Sequence, residues 1–121
     1  MNYRHIYMCI IAHAKSEQQK GLRPSNGNQF RKYFREGELY FEFHHILPRS
    51  LFPNWIKRKS NIVPLTAREH FFCHQLLTKI YPCGETIFAA WMLATSKCHD
   101  HAKITSKEYE NLRKQQQVFR S

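Results

Sequence analysis

Four histidines carry the chemistry this sequence offers. His44 and His45 stand side by side in FEFHHILPRS, and His70 and His74 lie four apart in TAREHFFCHQLL. Four residues is a little over one helical turn, so on a helix the second pair projects from one face and can share one metal ion. The same spacing also occurs among surface and core histidines, and it is the neighbouring HH that sharpens it. Neutral imidazole is a common metal ligand, and three such ligands leave positions open for water and substrate. A fourth imidazole beside the metal, but not bound to it, would be free to take a proton from water. Its ordinary pKa of ~6.5 suits general-base work at neutral pH. Adjacent residues of a strand point to opposite faces, so His44 and His45 are not expected to bind one ion together. One is expected to face the metal and the other a substrate phosphate.

Pattern predicts the elements that must hold these side chains. Leu39–Ile46 is dense in aromatic and β-branched residues and reads as a strand, which Pro48 ends. A basic loop, Pro53–Ser60, leads to a short second strand over Asn61–Leu65, where Pro64 demands an edge position or a very short strand. Thr66 followed by Glu69 is a capping box, starting a helix that runs to about Tyr81, where Pro82 and Gly84 stop it. Upstream, Tyr3, Ile6, Tyr7, Ile10 and Ala14 recur at helical spacing and predict an amphipathic first helix over 2–15. Gly, Pro, Ser and Asn cluster in Lys15–Gln29, which reads as a loop. Phe30–Glu38 interleaves bases with aromatics and suits a phosphate backbone or a snorkelling surface equally. Downstream, Thr86–Thr95 is apolar nearly all round and predicts a buried helix. Thr105 with Glu108 repeats the capping chemistry ahead of a stripe of Tyr109, Leu112 and Phe119. The fold class is therefore α+β, mostly helical outside a β-hairpin.

A chain of 121 residues allows one modest core and one domain. Nineteen Lys and Arg against nine Asp and Glu give a formal charge of +10. Half of that excess, +5, falls within 44–80, around the histidines. Such a surplus suggests a polyanionic partner, most often nucleic acid, with a merely soluble basic protein as the alternative. The four cysteines show no C-x-x-C spacing and read as reduced thiols. Ile6–Ala12 with the Ala-His-Ala of Ala12–Ala14 mimics a signal peptide and its cleavage site but is at the short limit for one, and no stretch is long enough to span a membrane. The expected location is cytoplasmic, in a host cell if the gene belongs to a phage.

Together, EFHHILPRS, NIVPLT and REHFFCHQLL resemble the HNH (ββα-metal, or His-Me finger) endonucleases, especially the small ones encoded by phages and mobile introns. The separations are 16 from His45 to Asn61, 9 from Asn61 to His70 and 4 from His70 to His74. Nuclease colicins carry a similar four-histidine set. The resemblance is specific over 44–74 and extends weakly over most of the chain, including LLTKIYP and TSKEYENLRK. It implies one nuclease domain over 1–121, with a ββα-metal core at about 39–81 and helical flanks at 2–15 and 85–119. Residue by residue, it implies His44, His70 and His74 as metal ligands and His45 as the general base. It also implies Asn61 as the middle residue that holds the loop and helps to orient the base, with Glu42 as a supporting carboxylate.

The implied reaction is hydrolysis of a phosphodiester in DNA, by nicking or double-strand cutting, leaving a 5′-phosphate and a 3′-hydroxyl; the same geometry can cut RNA. One divalent ion is expected, Mg²⁺ on family grounds, with Mn²⁺, Zn²⁺ or Ni²⁺ compatible with imidazole donors. Arg49, Lys57, Arg58, Lys59 and Arg68 are candidates to hold the nucleic-acid backbone without reading sequence. So small a reading surface suggests short recognition or a homodimer. No membrane partner and no small-molecule substrate is expected. Two departures from phage relatives stand out: Leu51–Trp55 replaces a Gly-Gly turn, and the segment between Lys15 and Glu38 looks longer than usual. The competing expectation is a non-catalytic, zinc-stabilised DNA-binding domain closed by His44, His70, His74 and Cys73. That reading gives His45 and Asn61 no purpose. A second zinc set, Cys83, Cys98, His99 and His101, has irregular spacing.

Overall fold

The structure, a computed structural model, describes residues 1–37 and 39–95, together with Glu110 and Lys114. Helix α1 spans Tyr3–Gln19 and α2 spans Gly27–Gly37. Strand β1 (Glu42–His45) and strand β2 (Ile62–Leu65) form a two-stranded antiparallel sheet. Helix α3 (Ala67–Ile80) follows β2 directly, and α4 (Gly84–Thr95) follows α3. The fold is α+β and mostly helical. The helix expected from Thr105, and Cys98, His99 and His101 of the second zinc set, lie outside the described residues.

The hairpin register sets the site. Glu42 pairs with Leu65, Phe43 with Pro64, His44 with Val63 and His45 with Ile62. Along β1, Glu42 and His44 are buried while Phe43 is exposed and His45 half-buried, the alternation of a strand with one face inward. With only two strands, both are edges, and Pro64 is tolerated because its missing N–H has no second neighbour to serve. The strands are shorter than the aromatic run suggested, and Asn61 belongs to a 3₁₀ turn, Lys59–Asn61, ahead of β2.

The core explains why the hairpin stays put. Tyr7, Ile11 and Ala14 on α1 pack with Val63 and Leu65 of β2 and with Cys73, Leu76 and Leu77 of α3. The α1 residues recur at i, i+4 and i+7, one helical face. Thr66 caps α3 with its side chain on the Glu69 N–H, and the Glu69 carboxylate returns to the Thr66 N–H, so the expected capping box is formed. Arg23 locks that corner. It is 4% exposed, bonds both Glu69 oxygens, at 2.6 and 3.1 Å, and reaches the Pro64 carbonyl and Glu17.

Two expectations need correction. Much of the presumed loop over Lys15–Gln29 is helical: α1 runs on through Gln19, because Lys, Glu and Gln are good helix formers, and stops at Gly21, which has φ +77°. Asn26 then caps α2, accepting from the Gln29 N–H at 3.0 Å. On α2, Phe30 and Phe34 pack toward Tyr40, and Arg31, Lys32 and Arg35 are exposed. The second correction is α4, which is not buried all round. Ala90 and Thr86 are inward, but Phe88 is 61% exposed and Met92 43%. Its apolar residues include the wall of a cleft as well as a packing face.

Candidate active site

Three of the four histidines converge. Because His44 shares the inward face of β1 with Glu42, and α3 lies against that face, the strand presents its imidazole to the two on the helix. His44, His70 and His74 can each offer a ligand nitrogen, with all three atoms within 4.8 Å of one another. The rings lie 4.8 to 5.2 Å apart, centroid to centroid. The Nε2 atoms of His70 and His74 are 3.2 Å apart, which follows from their i, i+4 placement.

The polar surroundings fit a metal. His70 Nδ1 donates to the Glu42 carboxylate at 2.7 Å, which turns Nε2 toward His74. The other Glu42 oxygen accepts from the Tyr40 hydroxyl. His44 is 2% exposed, and its Nδ1 is buried with no hydrogen-bond partner among the described residues. Such an atom costs stability unless something occupies it. Burial, together with the neighbouring His70, His74 and His45, holds the His44 pKa well below the ordinary histidine range. Burial and then repulsion from His70 bring His74 down to about 3. Both rings are therefore neutral at pH 7, the form that binds a metal.

His45 stands apart from this group, as the strand alternation requires. It is half-buried, and it lines a cleft of about 730 Å³ together with His44, His70, His74, Arg49, Phe88 and Met92. Partial burial lowers its pKa first and the Arg49 charge adds to that, against a hydrogen bond with the Ile56 main chain that raises it. The result is an imidazole neutral at pH 7 and open to the cleft.

Asn61 serves the loop that carries this face. Its carboxamide bonds the main chain of Leu47 and the Trp55 carbonyl, and its own carbonyl accepts from the Ile46 N–H. Trp55 is next to Ile56, which holds the His45 ring, so Asn61 reaches the ring only through the backbone. Of the five basic candidates, Arg49 lines the cleft. Lys57, Arg58 and Lys59 are exposed on the loop outside the cleft lining, with Arg58 lying 4.6 Å over the Trp55 ring. Arg68 is paired with Glu110 at 3.0 Å.

Cys73 does not join the histidines. It is fully buried in the core, and burial pushes its thiol up to about 12, so the closed four-ligand site loses its proposed fourth donor. Sequence reasoning missed Tyr40 and Tyr7. Tyr40 could have been found, since in the strand expected over Leu39–Ile46 it falls two residues before Glu42 and so on the same face. Tyr7, whose hydroxyl is 2.7 Å from His44 Nε2, gave no such signal: it was one apolar-stripe residue among several, 37 positions away.

Comparison with known proteins shows that the chain belongs to the mobile endonucleases of phages. It is 38% identical over 122 residues to probable mobile endonuclease E of Enterobacteria phage T4, an alignment covering 99% of this chain and 73% of that protein. Probable mobile endonucleases C and B of the same phage are 34% and 35% identical over 109 residues, 90% of this chain. The chain spans only 42% and 35% of those two longer relatives. No protein-family model and no solved structure matches the chain. Among the described residues, no helix is long and apolar enough to cross a membrane.

Proposed function

We propose that the protein is a metal-dependent HNH endonuclease of the homing type that hydrolyses phosphodiester bonds in DNA, with β1, β2 and α3 as its ββα-metal core. The observation that carries this reading is the buried Nδ1 of His44, without a partner among the described residues, in a group of three converging imidazoles beside a fourth that faces the same cleft. Membership in the phage mobile endonucleases supports the reaction class and DNA as the substrate.

His44, His70 and His74 would hold one divalent ion; Mg²⁺ is the family choice, and the imidazole donors also suit Mn²⁺, Zn²⁺ or Ni²⁺. When bound, such an ion supplies positive charge to the phosphate as the P–O bond breaks. The protein's own groups do the rest. His45, neutral and cleft-facing, takes the proton from the attacking water, a contribution of ~10²–10⁴-fold. Glu42 fixes the His70 ring. Arg49 steadies the backbone phosphate beside the base, and Lys57, Arg58 and Lys59 extend the positive surface along the neighbouring loop. Three protein ligands leave positions for water and phosphate, which a closed structural site does not.

The test is cleavage of a supercoiled plasmid carrying phage DNA, with Mg²⁺, Mn²⁺, Zn²⁺ or EDTA. Metal-dependent relaxed or linear product is expected, and its form separates nicking from double-strand cutting. His45→Ala should retain metal and DNA while cutting falls by ~10²–10⁴-fold. DNA bound but never cut, with zinc tightly held, would overturn the enzymatic reading in favour of a DNA-binding domain.

A further inference from the structure

Helix α1 lies outside the strand–strand–helix unit that carries the histidines, yet it reaches their centre. Tyr7 is 4% exposed, and its hydroxyl oxygen lies 2.7 Å from His44 Nε2 and 2.7 Å from the Ile46 carbonyl oxygen. A phenol has one proton to give. The carbonyl can only accept, so the proton goes to Ile46, and the oxygen is left to accept from His44 Nε2–H. The opposite arrangement, with the phenol donating to Nε2, would set two oxygens against each other at 2.7 Å. It would also leave a buried Nδ1–H with no partner among the described residues, which costs stability. A neutral imidazole carries a single N–H, so proton on Nε2 means lone pair on Nδ1.

We propose that Tyr7 is a positioning residue of the metal centre: by accepting the His44 Nε2–H while donating to the Ile46 carbonyl, it holds His44 in the tautomer and rotation that present Nδ1 to a divalent ion. This rests on the metal-centre reading above. Glu42 stands in the same relation to His70 from the other side, its carboxylate 2.7 Å from Nδ1 with Nε2 turned toward His74. Two of the three ligands thus have their far nitrogen fixed, one by a carboxylate of the hairpin and the other by a phenol of α1. A phenol is neutral at pH 7, and burial raises its pKa further, so it can donate and accept at once. The strand–strand–helix unit therefore does not make the site alone; α1 supplies a part of it.

The experiment uses the full chain. Nitrogen NMR of the metal-free native protein reads the His44 tautomer, and a chelator competition reads Zn²⁺ affinity for native, Tyr7→Phe and His74→Ala proteins. Native protein should show Nε2–H at His44; Nδ1–H there overturns the proposal without any variant. Tyr7→Phe removes one oxygen and keeps the ring in the core. It should mix the tautomers and weaken Zn²⁺ binding ~10–100-fold, the usual loss for such a supporting contact. An unchanged tautomer and affinity in Tyr7→Phe, with His74→Ala weakened, overturns the role of Tyr7 and leaves the three-histidine centre standing. His74→Ala binding Zn²⁺ as tightly as native protein overturns the centre itself, and the inference with it.

Discussion

The side chain of Asn61 pairs with the main chain of Leu47 in both directions: Oδ1 accepts from the Leu47 N–H at 2.7 Å, and Nδ2 donates to the Leu47 carbonyl at 3.2 Å. The second proton of Nδ2 goes to the Trp55 carbonyl. One carboxamide therefore ties the segment leaving β1 to the turn that precedes Ile56, and Ile56 holds the His45 ring.

Replacing Asn61 by Asp keeps the acceptor and removes both donors. The carbonyls of Leu47 and Trp55 would lose their partner and face a carboxylate instead. The expected loss is roughly 2–6 kcal/mol of folding stability, from two unsatisfied carbonyl groups at about 1–3 kcal/mol each. Urea unfolding of native and Asn61→Asp protein measures it. Activity should fall further than stability explains, because the support of His45 loosens. A variant of native stability would show that water replaces these bonds without cost.

Arg23 and Glu69 predict an acid limit to stability. Burial alone would raise the Glu69 pKa, but hydrogen bonds from Arg23 and Thr66 outweigh it, and the net shift is downward. A depressed carboxylate stabilises the fold above its unfolded pKa of ~4.5 and loses that contribution as pH falls through the folded value. Glu69→Gln should cost about 1.5–3 kcal/mol at pH 7, the range for hydrogen bonds to a charged group. Below pH 4.5 its stability should fall less steeply than that of native protein. Thermal unfolding between pH 3 and 7 compares the two slopes; parallel curves would rule out this pair as the source.

Much of this was legible in the sequence, for physical reasons that differ by residue. Thr66 and Glu69 announced α3 because a capping box is a contact between near neighbours, readable at fixed spacing. His70 and His74 followed from the helix period, and the separation of His44 from His45 followed from the strand period. Tyr7 and Arg23 were illegible because their partners, His44 and Glu69, are 37 and 46 positions away. Helix α2 was hidden by Gly27 and Asn28, which read as loop until Asn26 is seen capping it. Helix α4 was misjudged because an apolar run cannot say whether its second face meets a core or a cleft; Phe88 and Met92 line the cleft.

The metal-free protein should lose stability on acidification well before carboxylates titrate. His44 and His74 are both held below the ordinary value by burial, His74 down to about 3. The folded state then binds fewer protons than the unfolded state, so stability is complete above ~6.5 and declines as pH falls toward the folded value. Each histidine contributes a slope of up to ~1.4 kcal/mol per pH unit in that window. In EDTA, His74→Gln should remove one such slope between pH 6 and 4, which chemical unfolding at several pH values would measure. An unaltered slope would mean that the His74 ring is protonated in the folded protein.

Arg49 and His45 give the last prediction, because the guanidinium lowers the His45 pKa and, in the proposed reaction, also meets the substrate. Partial burial and then the Arg49 charge hold the His45 pKa below its ordinary value, so the proposed general base is already deprotonated at pH 7. If His45 is the base, as proposed, cleavage should rise with pH on an acid limb that lies below ~6.5 and flatten by neutrality. Arg49→Gln removes the repulsion and should move that limb toward higher pH, while Arg49→Lys should leave it in place. Both substitutions weaken the hold on the backbone phosphate, which raises KM without displacing the limb. Single-turnover rates from pH 5 to 8.5 separate the two effects. A limb that stays fixed in Arg49→Gln, with only KM altered, would assign Arg49 to the phosphate alone and remove it from the tuning of His45.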